Sequence, residues 1–184
     1  MNPAEFIEKY IPRPEQDKWR SEAYRDMEHM WQTLNPGWLK FAAMQSGVLD
    51  DSTLRRYAVW CARQVQHLMT DPRSIAALDV AERRADGRAT CDELSDARNS
   101  ARIVWHETES KHPNSSRHVS ALAAWACVDC SAFLAASWTA GYSERALSIA
   151  AKEAAETAAE ASQAAWLREN ATPDWERAKN WRVK

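Results

Sequence analysis

The run SERALSIAAKEAAETAAEASQAAWLREN, from Ser143 to Asn170, constrains the fold more than any other stretch, because it holds no glycine, no proline and few β-branched residues. Alanine loses no side-chain freedom on entering a helix, and leucine, glutamate, glutamine and lysine lose little, so the run is expected to form one long helix. Leu147, Ala151, Ala154, Ala158, Ala161 and Ala165 are separated by alternating steps of four and three. Such a series keeps one seam of small side chains turned toward a neighbour and predicts a close approach of two helices there.

The remaining breaks divide the chain into helices. Only four glycines and seven prolines occur in 184 residues, and they stand where helices should begin or end. Asn2, Pro3 and Glu5 read as the start of a short helix that finishes before Pro12. A second helix is expected from Glu15 to Leu34, with Tyr24, Met27, Trp31 and Leu34 on one face, and a third from Trp38 to Ser46. Asp50 should cap a fourth over Thr53 to Met69, whose Leu54, Tyr57, Ala58, Cys61, Val65 and Leu68 follow the 3.6-residue period. Asp71 and Pro72 open the next, with Ile75 and Leu78 turned inward, and Gly87 stops it.

Thr90-Cys91-Asp92-Glu93 has capping-box spacing ahead of a helix carrying Leu94, Ala97, Ala101, Val104 and Trp105. Arg117 to Trp138 reads as a single helix with Val119, Leu122, Ala123, Ala126, Cys130, Phe133, Leu134 and Ser137 inward, closed by Gly141. Thr172-Pro173 begins a last short helix whose Trp175 and Trp181 pin the terminus. No segment alternates long enough for a strand. The expectation is an all-α chain forming one compact domain over residues 1–184, with seven to nine helices. Residues 1–47 form an accessory on a body spanning 50–170, and 172–184 add the final short helix.

Charge excludes one class of partner. With 24 basic and 26 acidic side chains the net charge is −2, and no Lys/Arg cluster offers a nucleic-acid footprint. The N-terminus has neither a basic n-region nor a long apolar h-region, and no 18 apolar residues are consecutive, so a soluble, cytoplasmic protein is expected. Cys61, Cys91, Cys127 and Cys130 are expected to be reduced thiols in a chain large enough to fold without cross-links.

The residues that could carry chemistry are better read as packing. Cys127-Val128-Asp129-Cys130 is a C-x-x-C with His106, His112 and His118 upstream, which is the content of a zinc site without its spacing. Within one helix, Cys130 would sit at the centre of the apolar face and Cys127 on its shoulder. Glu109-x-x-His112 has the spacing of a bundle carboxylate-metal motif, but His112 precedes Pro113 at a helix end. Glu153, Glu156 and Glu160 form an acidic stripe of the kind that faces solvent. Phosphate loop, nucleophile elbow and H-E-x-x-H are all missing from the sequence. Neither a catalytic residue, a metal nor a cofactor is assigned, and an enzyme would have to use Glu109, His112 and the cysteine pair.

The segment LRRYAVWCARQVQHLMTDPRSIAALDVAERRADGRATCDELSDAR, followed by ALAAWACVDC and EAAETAAEASQAAWL, resembles an alanine-rich helical family labelled immunity proteins in bacterial and phage genomes. The likeness covers roughly Leu54 to Leu167. It rests on the L-R-x-Y/F-A-x-x-C-A opening, the A-E-R-x-A-D-G turn with its T-x-x-E-L helix start, and the A-A-x-x-A-A run. This resemblance implies a small non-enzymatic protein that binds and neutralises a toxin or a defence component, an anti-CRISPR activity being one version.

Tryptophan marks where binding would occur. Trp60 falls opposite the apolar stripe of its helix, beside Arg56, Arg63 and His67 at one-turn spacings, and an indole flanked by guanidiniums is the composition of an interface hot spot. These four residues are the expected partner-binding site. The alternative is that another helix of the same domain covers Trp60, and Trp125 poses the same choice. A homo-oligomer, possible as a dimer, built through an alanine or tryptophan face is the other reading of such surfaces.

Overall fold

The computed structural model describes residues 1–11, 13–20, 24–45, 47–151 and 154–180, with no side-chain placement at 45, 154–157 and 179–180. Among the described residues there are eleven α-helices, one 3-10 turn and no strand. In chain order they are α1 (Pro3–Tyr10), α2 (Arg13–Arg20), α3 (Met27–Thr33), α4 (Pro36–Gln45), α5 (Asp51–Gln64), the 3-10 turn Gln66–Leu68, α6 (Pro72–Ala85), α7 (Cys91–Lys111), α8 (Ser116–Cys127), α9 (Ala132–Ala151), α10 (Ala154–Asn170) and α11 (Trp175–Asn180).

The helix starts follow their local chemistry. Asn2 Oδ1 accepts from the Glu5 N–H at 3.0 Å while Glu5 returns to the Asn2 N–H at 2.9 Å. Thr90 and Glu93 close the same reciprocal box ahead of α7, at 3.1 and 2.8 Å. Asp50 and Asp71 accept from Thr53 and Arg73 N–H groups at 2.7 and 2.8 Å. Gly87 ends α6 at φ 71°, the left-handed conformation that glycine adopts without steric cost.

The chain divides into two compact units, Met1–Leu49 with Ala164–Lys184, and Asp50–Gln163. In the first unit, Phe6, Trp19, Met30, Trp31, Leu34 and Leu39 are fully buried. The Trp19 and Trp38 rings stack 4.8 Å apart, and Trp175 meets Phe6 and Trp31 edge-on at 5.9 and 5.8 Å. The Tyr10 hydroxyl and Lys9 Nζ both donate to the Ala178 carbonyl, and the Asp174 N–H donates to Val48 O at 2.8 Å, so α11 is pinned onto this unit. Trp181 lies outside the described residues.

In the second unit, α5, α6, α7, α8 and α9 pack around a core dominated by small residues, among them Ala58, Ala62, Ala77, Ala101, Ala123 and Ala135, with Val65, Leu78, Leu94 and Val119 between them. Small contact residues let backbones come close, so dense packing is achieved with modest side-chain volume.

Several expectations are corrected. The helix expected over residues 15–34 is two, because Asp26 caps α3 by accepting from the His29 N–H at 2.7 Å, and aspartate satisfies a free helix start better than a helix interior. The helix expected over 117–138 ends at Cys127. There the buried Arg55 guanidinium donates to the carbonyls of Asp129 (2.8 Å) and Cys130 (2.5 Å), while Asp129 Oδ1 accepts from the Ser131 N–H at 2.9 Å. Those contacts hold the junction in a turn and raise the helix number above seven to nine. Cys127 is consequently the buried cysteine and Cys130 the exposed one, the reverse of what an unbroken helix would give.

Gly141 does not stop a helix but lies within α9. Its φ is not left-handed, and burial of Thr139, Ala140, Ser143 and Ala146 on the same helix outweighs a glycine penalty of about 1 kcal/mol. The alanine-rich run is shared between the end of α9 and α10, with residues 152–153 outside the described set. Its seam is not the one expected. Ala151, Ala158, Ala161 and Ala165 are exposed and Leu147 is half-buried, whereas Ala159, Gln163, Ala164 and Leu167 are buried; Ala154 has no described side chain. One buried leucine and the hydrogen bond from Tyr57 Oη to Gln163 Oε1 (3.2 Å) outweigh the small area each methyl contributes, and they fix the helix phase.

Candidate functional site

Of the four residues Arg56, Trp60, Arg63 and His67, the first three lie on α5 and face two different sides of it, and His67 lies beyond its end. Arg63 donates to Gln66 Oε1 (2.9 Å), Asp79 Oδ1 (2.6 Å) and Glu82 Oε2 (2.9 Å), the last two on α6. Burial acts to lower the Arg63 pKa, but the hydrogen bonds and charges of Asp79 and Glu82 outweigh it and raise it. Arg56, exposed, pairs with Asp86 at 3.6 Å. Both guanidiniums are thus engaged by carboxylates of the 71–86 segment. His67 is exposed in the 3-10 turn. Half-buried Trp60 looks the other way: with Gln64, and with Ser143, Leu147, Ala159 and Gln163 of α9 and α10, it lines a cavity of about 110 Å³. A larger cleft, about 300 Å³, runs between α6 and α7 over Ala76, Ala77 and Ala97, and is spanned by the ion pair Arg83–Glu93 at 2.8 Å.

A second aromatic surface was not legible in the sequence. Trp105 of α7, Trp125 of α8 and Trp138 of α9 stack in a row, with centroids 4.9 and 6.1 Å apart and planes tilted by 30° and 17°. Arg98 lies over the Trp125 ring at 5.1 Å and pairs with Asp129 Oδ2 at 2.9 Å. The His106 ring stacks on Trp105 at 4.3 Å. Exposure rises along the row, from half-buried Trp105 and Trp125 to Trp138 at 39%. The outer indole is therefore backed by two others and partly exposed to solvent. One tryptophan comes from each of three helices, so no periodicity within any one of them reveals the row. The nearest hint is that Arg98 and Trp105 stand seven residues apart, two turns along one face.

The groups considered for metal or redox chemistry are dispersed. Among the described residues no three of His, Cys, Asp and Glu are gathered as a metal site. Glu109 pairs with His106 at 3.7 Å, and His112 caps the end of α7, where its carbonyl accepts from Ser115 Oγ at 2.7 Å. Burial pushes the Cys127 thiol up to about 12, against the opposing charges of Arg63 and Arg55. At neutral pH that thiol is protonated, which is the unreactive form. The Glu153 and Glu156 side chains lie outside the described set. His118 is buried, with Nδ1 lacking a hydrogen-bond partner. Among the described residues, no helix is long and apolar enough to cross a membrane. Comparison of the chain with protein-family models, curated proteins and solved structures finds no match.

Proposed function

We propose that this chain is a non-enzymatic binding protein that holds, and thereby neutralises, a protein partner in the cytoplasm. The toxin or host-defence component, and the phage or mobile-element origin, are what the resemblance to immunity proteins implies. The observation that carries the reading is Trp138, 39% exposed at the end of the indole row. Tryptophan and arginine are enriched at interface hot spots; an indole offers large, rigid contact area at low entropic cost, and a pre-stacked indole has already lost most of its freedom. Of Arg56, Trp60, Arg63 and His67, Trp60 at its cavity is the second candidate anchor.

The test is capture of a partner from extract of the native host by the full chain, followed by affinity measurement with the isolated partner. Trp138→Ala should weaken binding by at least about 2 kcal/mol, roughly thirtyfold, the usual hot-spot threshold. Retained affinity in Trp138→Ala, with loss in Trp60→Ala, would move the interface to α5. A homo-oligomer is the second reading, favoured by Ile149, which is 40% exposed on α9 three turns beyond Trp138. Sedimentation of the purified chain distinguishes it.

A further inference from the structure

The cavity beside Trp60 has a chemistry of its own. It lies where α5, α9 and α10 meet, and among the described residues no ionisable side chain lines it. Ser143, 1% exposed, forms part of its wall, and its hydroxyl has no hydrogen-bond partner. A helical serine ordinarily gives its hydroxyl to the carbonyl one turn back; here that bond is not made. Gln163, 3% exposed, accepts from Tyr57 through Oε1 (3.2 Å) and gives one Nε2 hydrogen to the Ala140 carbonyl (3.4 Å), which leaves its second hydrogen unspent. Gln64 uses Nε2 toward the Trp60 carbonyl at 3.4 Å, and its Oε1 can accept. Trp60, Leu147 and Ala159 supply the apolar remainder.

We propose that this cavity is a binding site for a neutral primary carboxamide. A carboxamide oxygen satisfies the Ser143 hydroxyl and the spare Gln163 N–H, its amino group meets Gln64 Oε1, and its plane and carbon stem rest against the indole and the two aliphatic side chains. Among the described lining residues a carboxylate would meet no cation to offset its lost hydration, so the neutral group is preferred. Size agrees. A cavity of roughly 150 Å³ holds benzene, so about 110 Å³ accommodates a group the size of acetamide. The carboxamide is either a free small amide or the asparagine or glutamine side chain of a protein partner. The inference concerns this cavity alone, and the protein-binding reading stands or falls separately on Trp138.

Titration of the full ¹⁵N-labelled chain with acetamide, followed through the Trp60 indole and Gln163 carboxamide resonances, tests it. Saturable shifts are expected with acetamide and at least fivefold weaker ones with acetate. Ser143→Ala should weaken acetamide at least fivefold, and Ala159→Leu, which fills the space, should abolish binding. Where Ala159→Leu perturbs the fold, Ser143→Ala carries the result. N-acetylasparagine methylamide binding as tightly as acetamide assigns the site to a partner side chain, and binding by acetamide alone assigns it to free amides. Absence of saturation, equal response to acetate, or an undiminished response in Ser143→Ala overturns the proposal.

Discussion

The tryptophans of the two units are put to opposite uses. In the unit of residues 1–49 and 164–184, Trp19 and Trp31 are 2% and 1% exposed, and their neighbours are other rings of the same core. In the unit of residues 50–163, Trp105, Trp125 and Trp138 form a graded row that ends in solvent. The difference follows from what surrounds them. The first unit is built from short helices with large side chains, where indoles must fill the volume between elements. The second is built from longer helices with alanine at their contacts, which pack closely without large side chains and leave the indoles to one side. Burial makes an indole a source of stability, whereas a stacked and partly exposed indole has the composition that interface hot spots draw on.

That contrast is broken or sharpened most strongly by truncation. Trp31→Ala should cost about 3 to 5 kcal/mol, the usual loss for a fully buried large aromatic, whereas Trp138→Ala should cost less than about 1 kcal/mol. Urea-unfolding midpoints read both, and similar losses would erase the distinction between core and surface indoles.

A smaller effect tests whether alanine packing is as close as the contrast requires. Ala123→Leu in the second unit and Ala164→Leu in the first should each destabilise by about 1 to 3 kcal/mol through overpacking, while Ala158→Leu, on the exposed side of α10, should stay within about 0.5 kcal/mol. A large loss at Ala158 would mean that the expected seam, not the observed one, faces the protein.

The smallest effect is a pH dependence placed in the second unit. Burial lowers the pKa of His118, with Glu109 acting to raise it and Arg145 to lower it. The unfolded chain takes up this proton near pH 6.5, whereas the folded chain takes it up only at lower pH. Between those values the unfolded state binds more protons, so this contribution is fully present above about pH 6.5 and is lost as pH falls below it. His118→Gln should flatten that slope in thermal melts recorded between about pH 7 and 5. An identical slope in the variant would assign it to other groups.

The helix starts were readable because each is settled within one turn. Asn2, Asp50, Asp71 and Thr90 each find their backbone partner no more than three residues ahead. The composition of the alanine run likewise dictated helix, although not which side of it would be buried. The break after Cys127 was not readable, because its cause, Arg55, lies 74 residues before Asp129, whose carbonyl it holds. The cavity at Trp60 is shaped by three helices, and the stripe of Arg56, Trp60, Arg63 and His67 looks continuous only while α6 and its carboxylates are out of view.

The sequence by itself determined that this chain is helical, where most helices begin and which side chains are large enough to matter. Those properties depend on bonds that close locally and on propensities that each residue carries alone. Tertiary structure decided the phase of α10, the break after Cys127, the exchange of Cys127 and Cys130 between surface and core, and the assembly of the indole row. Each of these depends on a partner remote in the chain: Gln163 meets Tyr57, Asp129 meets Arg55 and Arg98, and Trp125 meets Trp105 and Trp138. Such energies exist only once the elements have packed, and no periodicity within a single helix encodes them.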